Sequence, residues 1–122
     1  MIWLSLIFFN AAKQFDVNDI RRLRQKVNGG RRHVICYMSV GEAETYRYYW
    51  KNAWNTDKPE WLEDENPYWP GNYKVKYWYD EWQEIIYKGE SSFLDRIIDA
   101  GFDGVYLDII DAFEYFELQN DV

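Results

Sequence analysis

Residues 103–109 read DGVYLDI, a β-branched and aromatic run of strand length that opens after Gly101 and closes on an acid. Alternation along such a strand places Gly104, Tyr106 and Asp108 on one face and Val105, Leu107 and Ile109 on the other. Working outward, residues 91–100 carry Phe93, Leu94, Ile97 and Ile98 on one side of a helix, with Gly101 as its stop. Another helix is expected over 80–88. Residues 33–40 (HVICYMSV) read as a buried strand that breaks at Gly41 into the polar string Glu42-Ala43-Glu44. Before it, Ile20, Leu23 and Val27 recur at helical spacing over 16–27, with Asp16 or Asn18 to cap the start and Gly29-Gly30 to end it. Residues 2–9 are continuously apolar, the pattern of a strand covered on both faces. Strand, helix, strand, then helix and strand again predict an α/β fold with a parallel sheet and right-handed crossovers.

The opening run has no basic leader and no convincing small-residue cleavage site, and it is far too short to span a bilayer. A buried strand is expected there rather than the remnant of a signal peptide, and no membrane partner is expected. With 122 residues, 48% of them apolar, and no repeat or flexible linker, the chain reads as one domain or part of one. The net charge of −7 argues against nucleic acid as a partner, and the basic cluster over 21–26 reads as a solvated helix face. Cys36 is the single cysteine, so an intrachain disulfide and a thiolate metal cluster are excluded, and a core position is expected for it.

Between Glu42 and Tyr79 lies a long connection with all three prolines and little periodicity. Six of the seven Trp and seven of the eleven Tyr fall between Tyr46 and Trp82. In parallel α/β folds the ligand site lies at the carboxyl ends of the strands, where this connection leaves residues 33–40. It reads as a loop forming one wall of a binding cleft.

The same geometry makes Asp108 the leading candidate for chemistry: a carboxylate at a strand's carboxyl end is held rigidly and aimed at the mouth where substrate sits. Capping of the following turn is the structural alternative. Asp111, three residues on, could share acid–base work with it or cap a helix. Glu42 and Glu44 occupy the matching position after the preceding strand, where Glu44 could also be a first-turn charge on a helix dipole. Two carboxyl groups and stacking aromatic rings are the ingredients of glycoside cleavage. Other chemistries fit less well: there is no glycine-rich phosphate loop, HExxH or CxxC, His33 stands alone at a strand start, and Ser39 has no evident base.

The strings CYMSVGEAE (36–44), YRYYW (46–50), WPGNYKVKYW (69–78) and GFDGVYLDIIDAF (101–113) together resemble glycoside hydrolase family 114, the endo-α-1,4-polygalactosaminidase-like proteins. The resemblance covers roughly residues 30–117. It implies a (β/α)8 TIM-type barrel, hydrolysis of a galactosaminide-containing polysaccharide, no required metal or other cofactor, and export from the cell. Asp108 matches the strand-end Asp of the family's catalytic motif. Glu42 and Asp111 match further motif positions, and Tyr37, Ser39, Glu44, Tyr46, Arg47, Trp50, Trp78 and Tyr106 fall in the matching strings as substrate-binding candidates. A whole barrel has eight strands in about 250 residues, whereas this sequence offers three or four β/α units, so a partial barrel is expected. The second carboxylate is expected on a later strand, and unpaired sheet edges predict self-association. Two alternatives stand beside the enzyme: a non-catalytic binder of amino-sugar polymer, and an inactive truncated product.

Overall fold

The computed structural model describes residues 4–7 and 15–120. Residues 1–3, 8–14 and 121–122 lie outside the described residues, and with them half of the 2–9 run and the question of a leader. The elements in chain order are β1 (Leu4–Ile7), α1 (Val17–Arg24), β2 (His33–Ser39), β3 (Glu42–Glu44), β4 (Leu62–Glu65), β5 (Asn72–Val75), α2 (Asp80–Gln83), α3 (Phe93–Asp99), β6 (Gly104–Asp108) and α4 (Ala112–Asn120). A 3-10 turn (Asn52–Asn55) lies between β3 and β4, and α2 runs on into one π-helical turn (Glu84–Lys88).

Two sheets are built from these strands. The first is parallel, in the order β1-β2-β6. Its strands add in chain order and in one direction, so all three carboxyl ends lie along the same edge. β2 alternates: Val34, Cys36 and Met38 are buried, and they share one hydrophobic cluster with Ile20 of α1 and with Phe93, Ile97 and Ala100 of or beside α3. Burying each of the larger of these side chains contributes roughly 1.5–3 kcal/mol. Ile35 and Tyr37 project to the opposite face, which is only half covered.

The second sheet is antiparallel, in the order β3-β5-β4, and corrects the reading of 42–79 as an aperiodic loop. β4 and β5 form a hairpin whose connection, residues 66–71, contains Asn66-Pro67 and Pro70-Gly71. Gly71 has φ +89°, and a Cβ there would meet the Thr45 hydroxyl at 3.0 Å, so the tight turn requires glycine. The fold is therefore mixed, with a parallel sheet and a small antiparallel one, rather than parallel throughout.

The buried aromatic residues of this segment extend the same hydrophobic core more than they line a cleft. Trp54, Trp61 and Trp82 are buried, and contacts run from Trp50 to Trp54 (5.2 Å), Trp54 to Trp61 (5.1 Å), Trp61 to Trp82 (5.5 Å) and Trp82 to Tyr49 (5.6 Å). Three of these four pairs are edge-to-face, the arrangement that the ring quadrupole favours. Tyr46, Tyr68, Trp69, Tyr77 and Trp78 are the members left exposed.

Several boundaries differ from expectation for local reasons. α1 begins with a capping box between Asp16 and Asp19, but it stops at Arg24, short of Val27 and of Gly29-Gly30. The Arg24 carbonyl accepts the Arg32 N–H at 2.8 Å, and Val27 is fully exposed, so another helical turn would bury nothing. Asp103 precedes β6 instead of opening it: its carboxylate takes the Arg24 guanidinium and the Val34 N–H, the latter at 2.8 Å. Arg24 also donates to the Gly101 carbonyl at 2.6 Å, so a side chain of the predicted solvated face ties α1 to the entry of β6. Burial works against Asp103's charge, but the Arg24 hydrogen bond, the Val34 N–H and the nearby positive charges outweigh it and hold its carboxyl below the usual value.

Candidate active site

Ser39 and Asp108 are the last residues of β2 and β6 and are register partners. Beyond them the two exits are pinned together. The Val40 N–H donates to the Asp108 carbonyl at 3.1 Å, and a Cβ on Gly41 would stand 2.3 Å from the Ile109 carbonyl oxygen. No side chain fits there, which explains a glycine immediately past the strand. Ile109 itself has φ +58°, a left-handed conformation that is costly for a β-branched residue and that recurs at functional sites.

Asp108 lies on the half-covered face with Tyr37 and Tyr106, as alternation predicted. Its Oδ2 accepts the Tyr37 hydroxyl at 2.5 Å and its Oδ1 accepts the Ile109 N–H at 2.9 Å. Tyr37 and Tyr106 are register partners with near-parallel rings, 6.4 Å between centroids and 20° between planes. Tyr106 is 56% exposed, so this face offers an aromatic surface beside a carboxylate. The buried Ser39 hydroxyl has no hydrogen-bond partner among the described residues, which leaves a donor and acceptor free next to Asp108.

Glu44 is in a different environment. It is 1% exposed, in β3 and not in a helix, and faces Arg47, itself 2% exposed. The Arg47 Nε donates to Glu44 Oε1 at 2.8 Å, and the Tyr46 hydroxyl donates to Oε2 at 2.5 Å. Tyr46 also reaches the Asn72 side-chain oxygen at 3.1 Å, and the Glu44 N–H donates to the Tyr49 hydroxyl at 3.0 Å. Desolvation depresses the Arg47 guanidinium, but the hydrogen bonds and charge of Glu44 more than reverse this and raise it. Burial first, then the hydrogen bond and charge of Glu44, push the Tyr46 phenol far up, and burial does the same to Tyr49. The Arg47 guanidinium carbon lies 4.9 Å from the Tyr46 ring centre and 6.0 Å from that of Tyr37.

Glu42, 2% exposed, accepts from Asn66 at 3.0 Å and Asn72 at 3.5 Å, with the Lys74 ammonium 3.6 Å away. Glu42 and Glu44 are thus both sealed inside the antiparallel sheet. Asp111 is exposed immediately before α4. Trp50 is half-buried between Trp54 and Tyr73 and donates to Asn55, whereas Trp78 is exposed and packs edge-on against Phe116 at 4.9 Å.

The structure therefore brings together Tyr37, Ser39, Tyr106 and Asp108, with Arg47 behind them; Glu42 and Glu44 belong to the polar interior of the neighbouring sheet, and Tyr46 is exposed at its surface with its hydroxyl on Glu44. Asn66, Asn72 and Lys74, which hold Glu42, escaped sequence reasoning. The turn signals around Pro67 and Pro70 could have revealed their hairpin.

Among the described residues no group of three or more His, Cys, Asp or Glu could hold a metal ion, and no helix is long and apolar enough to cross a membrane. A cavity of about 530 Å³ is lined by Arg21, Arg24, Lys26 and Arg31 with Gly29 and Gly101. These residues precede β2 and β6, so it lies at the strands' amino ends, away from Asp108. A smaller one of about 320 Å³, lined by Val40, Gly41, Tyr77, Trp82, Ile109 and Phe113, sits at the strand exits but is apolar and holds no carboxylate.

A parallel sheet thus ends in an acid beside two tyrosine rings. The model of glycoside-hydrolase family GH114 matches residues 7–122, and the chain belongs to that family. The chain is 58% identical over 82 residues to an uncharacterized protein of Thermotoga maritima, a stretch that is 67% of this chain and 24% of that protein. It is 57% identical over 82 residues to an uncharacterized protein of Methanocaldococcus jannaschii, covering 67% of this chain and 22% of the other. With a third, from Deinococcus radiodurans, identity is 49% over 83 residues, 68% of this chain and 26% of that one. The matched stretch thus spans about a quarter of the curated relatives' length.

Proposed function

We propose that this chain carries the Asp108 half of a glycosidase site that cleaves α-1,4-linked galactosaminide polymer by endo-hydrolysis. The observation that carries the reading is Asp108 at the carboxyl end of β6, with both oxygens accepting hydrogen bonds beside the Tyr37 and Tyr106 rings. An acceptor-only carboxylate suits the nucleophile or base of the pair, and exposed rings suit stacking on sugar. Tyr37 and Tyr106 are the substrate contacts best supported, and Trp78 is next; the Ser39 hydroxyl is buried beneath them. Glu42 and Glu44 are closed off from substrate, so the acid partner is either Asp111 or a residue in the part of the relatives' length beyond the matched stretch.

The one-directional order β1-β2-β6 supports an arc of a (β/α)8 barrel, since strands of such a barrel add in chain order. Outer edges on β1 and β6, with Tyr106, Leu107 and Ile110 exposed, support self-association, which sedimentation over a concentration series measures. Export from the cell belongs to the same reading, because a polymer of this kind is an extracellular substrate.

The deciding experiment is a reducing-end assay on deacetylated α-1,4-galactosaminide polymer with Asp108→Asn as control. Product from the wild type and none from the variant supports catalysis. Saturable binding with no product at any protein concentration rejects it in favour of a carbohydrate-binding role, which the sealed Glu42 and Glu44 would then explain.

A further inference from the structure

The contact between Tyr37 and Asp108 runs diagonally between strands. Tyr37 is the register partner of Tyr106, whereas Asp108 pairs with Ser39, two positions further along β2. The phenol therefore reaches along the open face to Oδ2 at 2.5 Å, while the left-handed Ile109 turns its N–H back onto Oδ1 at 2.9 Å. A carboxylate gripped at one oxygen by a side chain of β2 and at the other by the backbone N–H that follows it is confined to one orientation, as a reacting group requires. Tyr37 is held in turn. Its ring lies nearly parallel to Tyr106, and the Arg47 guanidinium, fixed by the buried Glu44, sits 6.0 Å from its centre.

We propose that Tyr37 is a positioning residue for Asp108, setting one carboxylate orientation on the open face and tying it to the Glu44–Arg47 pair of the antiparallel sheet. The inference rests on the reading of Asp108 as the reacting carboxylate and adds the group that aims it. Burial, the hydrogen bond to Asp108 and the negative charges of Glu44 and Asp108 raise the Tyr37 phenol far above the ordinary tyrosine range. It stays protonated at any working pH, which makes it a fixed donor rather than a proton shuttle.

Tyr37→Phe keeps the ring and its packing and removes only the donor. Three-bond couplings from the Asp108 amide nitrogen and carbonyl carbon to Cγ report its χ1 by NMR, without any need for turnover. The wild type is expected to give the couplings of a single rotamer and Tyr37→Phe those of an average over several; a single unchanged rotamer in the variant overturns the proposal, even in an active enzyme. Where the polymer is turned over, Tyr37→Phe should lower kcat roughly 10- to 100-fold with KM within about twofold. Released Asp108 couplings in a wild-type background that cleaves nothing would leave the positioning role standing while the glycosidase reading fails.

Discussion

Glu44 and Asp108 each accept a tyrosine hydroxyl at 2.5 Å, yet the two carboxylates serve opposite ends. Glu44 is enclosed by the antiparallel sheet and neutralised by a buried guanidinium, so nothing remains for a ligand to touch. Asp108 is half exposed at the end of a parallel strand, and among the described residues it has hydrogen-bond donors but no ion pair. The difference teaches that a hydrogen-bonded carboxylate becomes structural when its countercharge is sealed in with it, and remains available for chemistry when it is held by neutral donors on an open face.

That contrast can be broken at its base. If the aromatic segment is a core and not a ligand wall, Trp82→Ala should cost about 3–5 kcal/mol in chemical denaturation, through the cavity it leaves and the lost bond from its indole N–H to the Val40 carbonyl. A loss below about 1 kcal/mol would mean that the tryptophans do not support the fold. Next in size, Arg47→Met leaves the Glu44 charge buried without its partner, with an expected loss of about 3–5 kcal/mol. In the double variant Glu44→Gln, Arg47→Met, the loss should be smaller than the sum of the two single losses; strict additivity would remove the claim that the pair acts as a unit.

A third variant concerns the tie between α1 and β6. Asp103's lowered carboxyl stabilises the folded chain above the ordinary carboxylate range, and that contribution fades as pH falls through the lowered value. Asp103→Asn should therefore cost about 1 kcal/mol near neutral pH, since solvent screens the exposed pair, with the gap to wild type closing in acid; a gap independent of pH from 7 down to 2 would contradict the ion-pair account. Smallest in stability is Asp108→Asn, expected to change unfolding by under about 1 kcal/mol while abolishing product release. A large stability loss there would place Asp108 among the structural carboxylates, beside Glu44.

Much of the parallel sheet was legible because its signals are local. Apolar runs of strand length between helical spacings mark the parallel elements, and alternation in DGVYLDI puts Asp108 on the face of Tyr106 whatever else the chain does. The antiparallel sheet was not legible in the same way. Glu42-Ala43-Glu44 looks like a solvated loop by composition, and only pairing with Asn72, Tyr73 and Lys74 turns it into a buried strand. The aromatic density was visible but its direction was not: rings that could stack on sugar also stack on one another, and Trp54, Trp61 and Trp82 do the latter.

By itself, then, the sequence determined the order of the parallel elements, the place of Asp108 at a strand end and the family, because each follows from residues close together in the chain. Tertiary structure alone decided which acids are sealed and which is open. Burial of a charge depends on what closes over it: Lys74 and Tyr37 reach Glu42 and Asp108 only when strands distant in sequence come side by side, and the Glu44–Arg47 pair, three residues apart in the chain, is sealed only once the fold covers it.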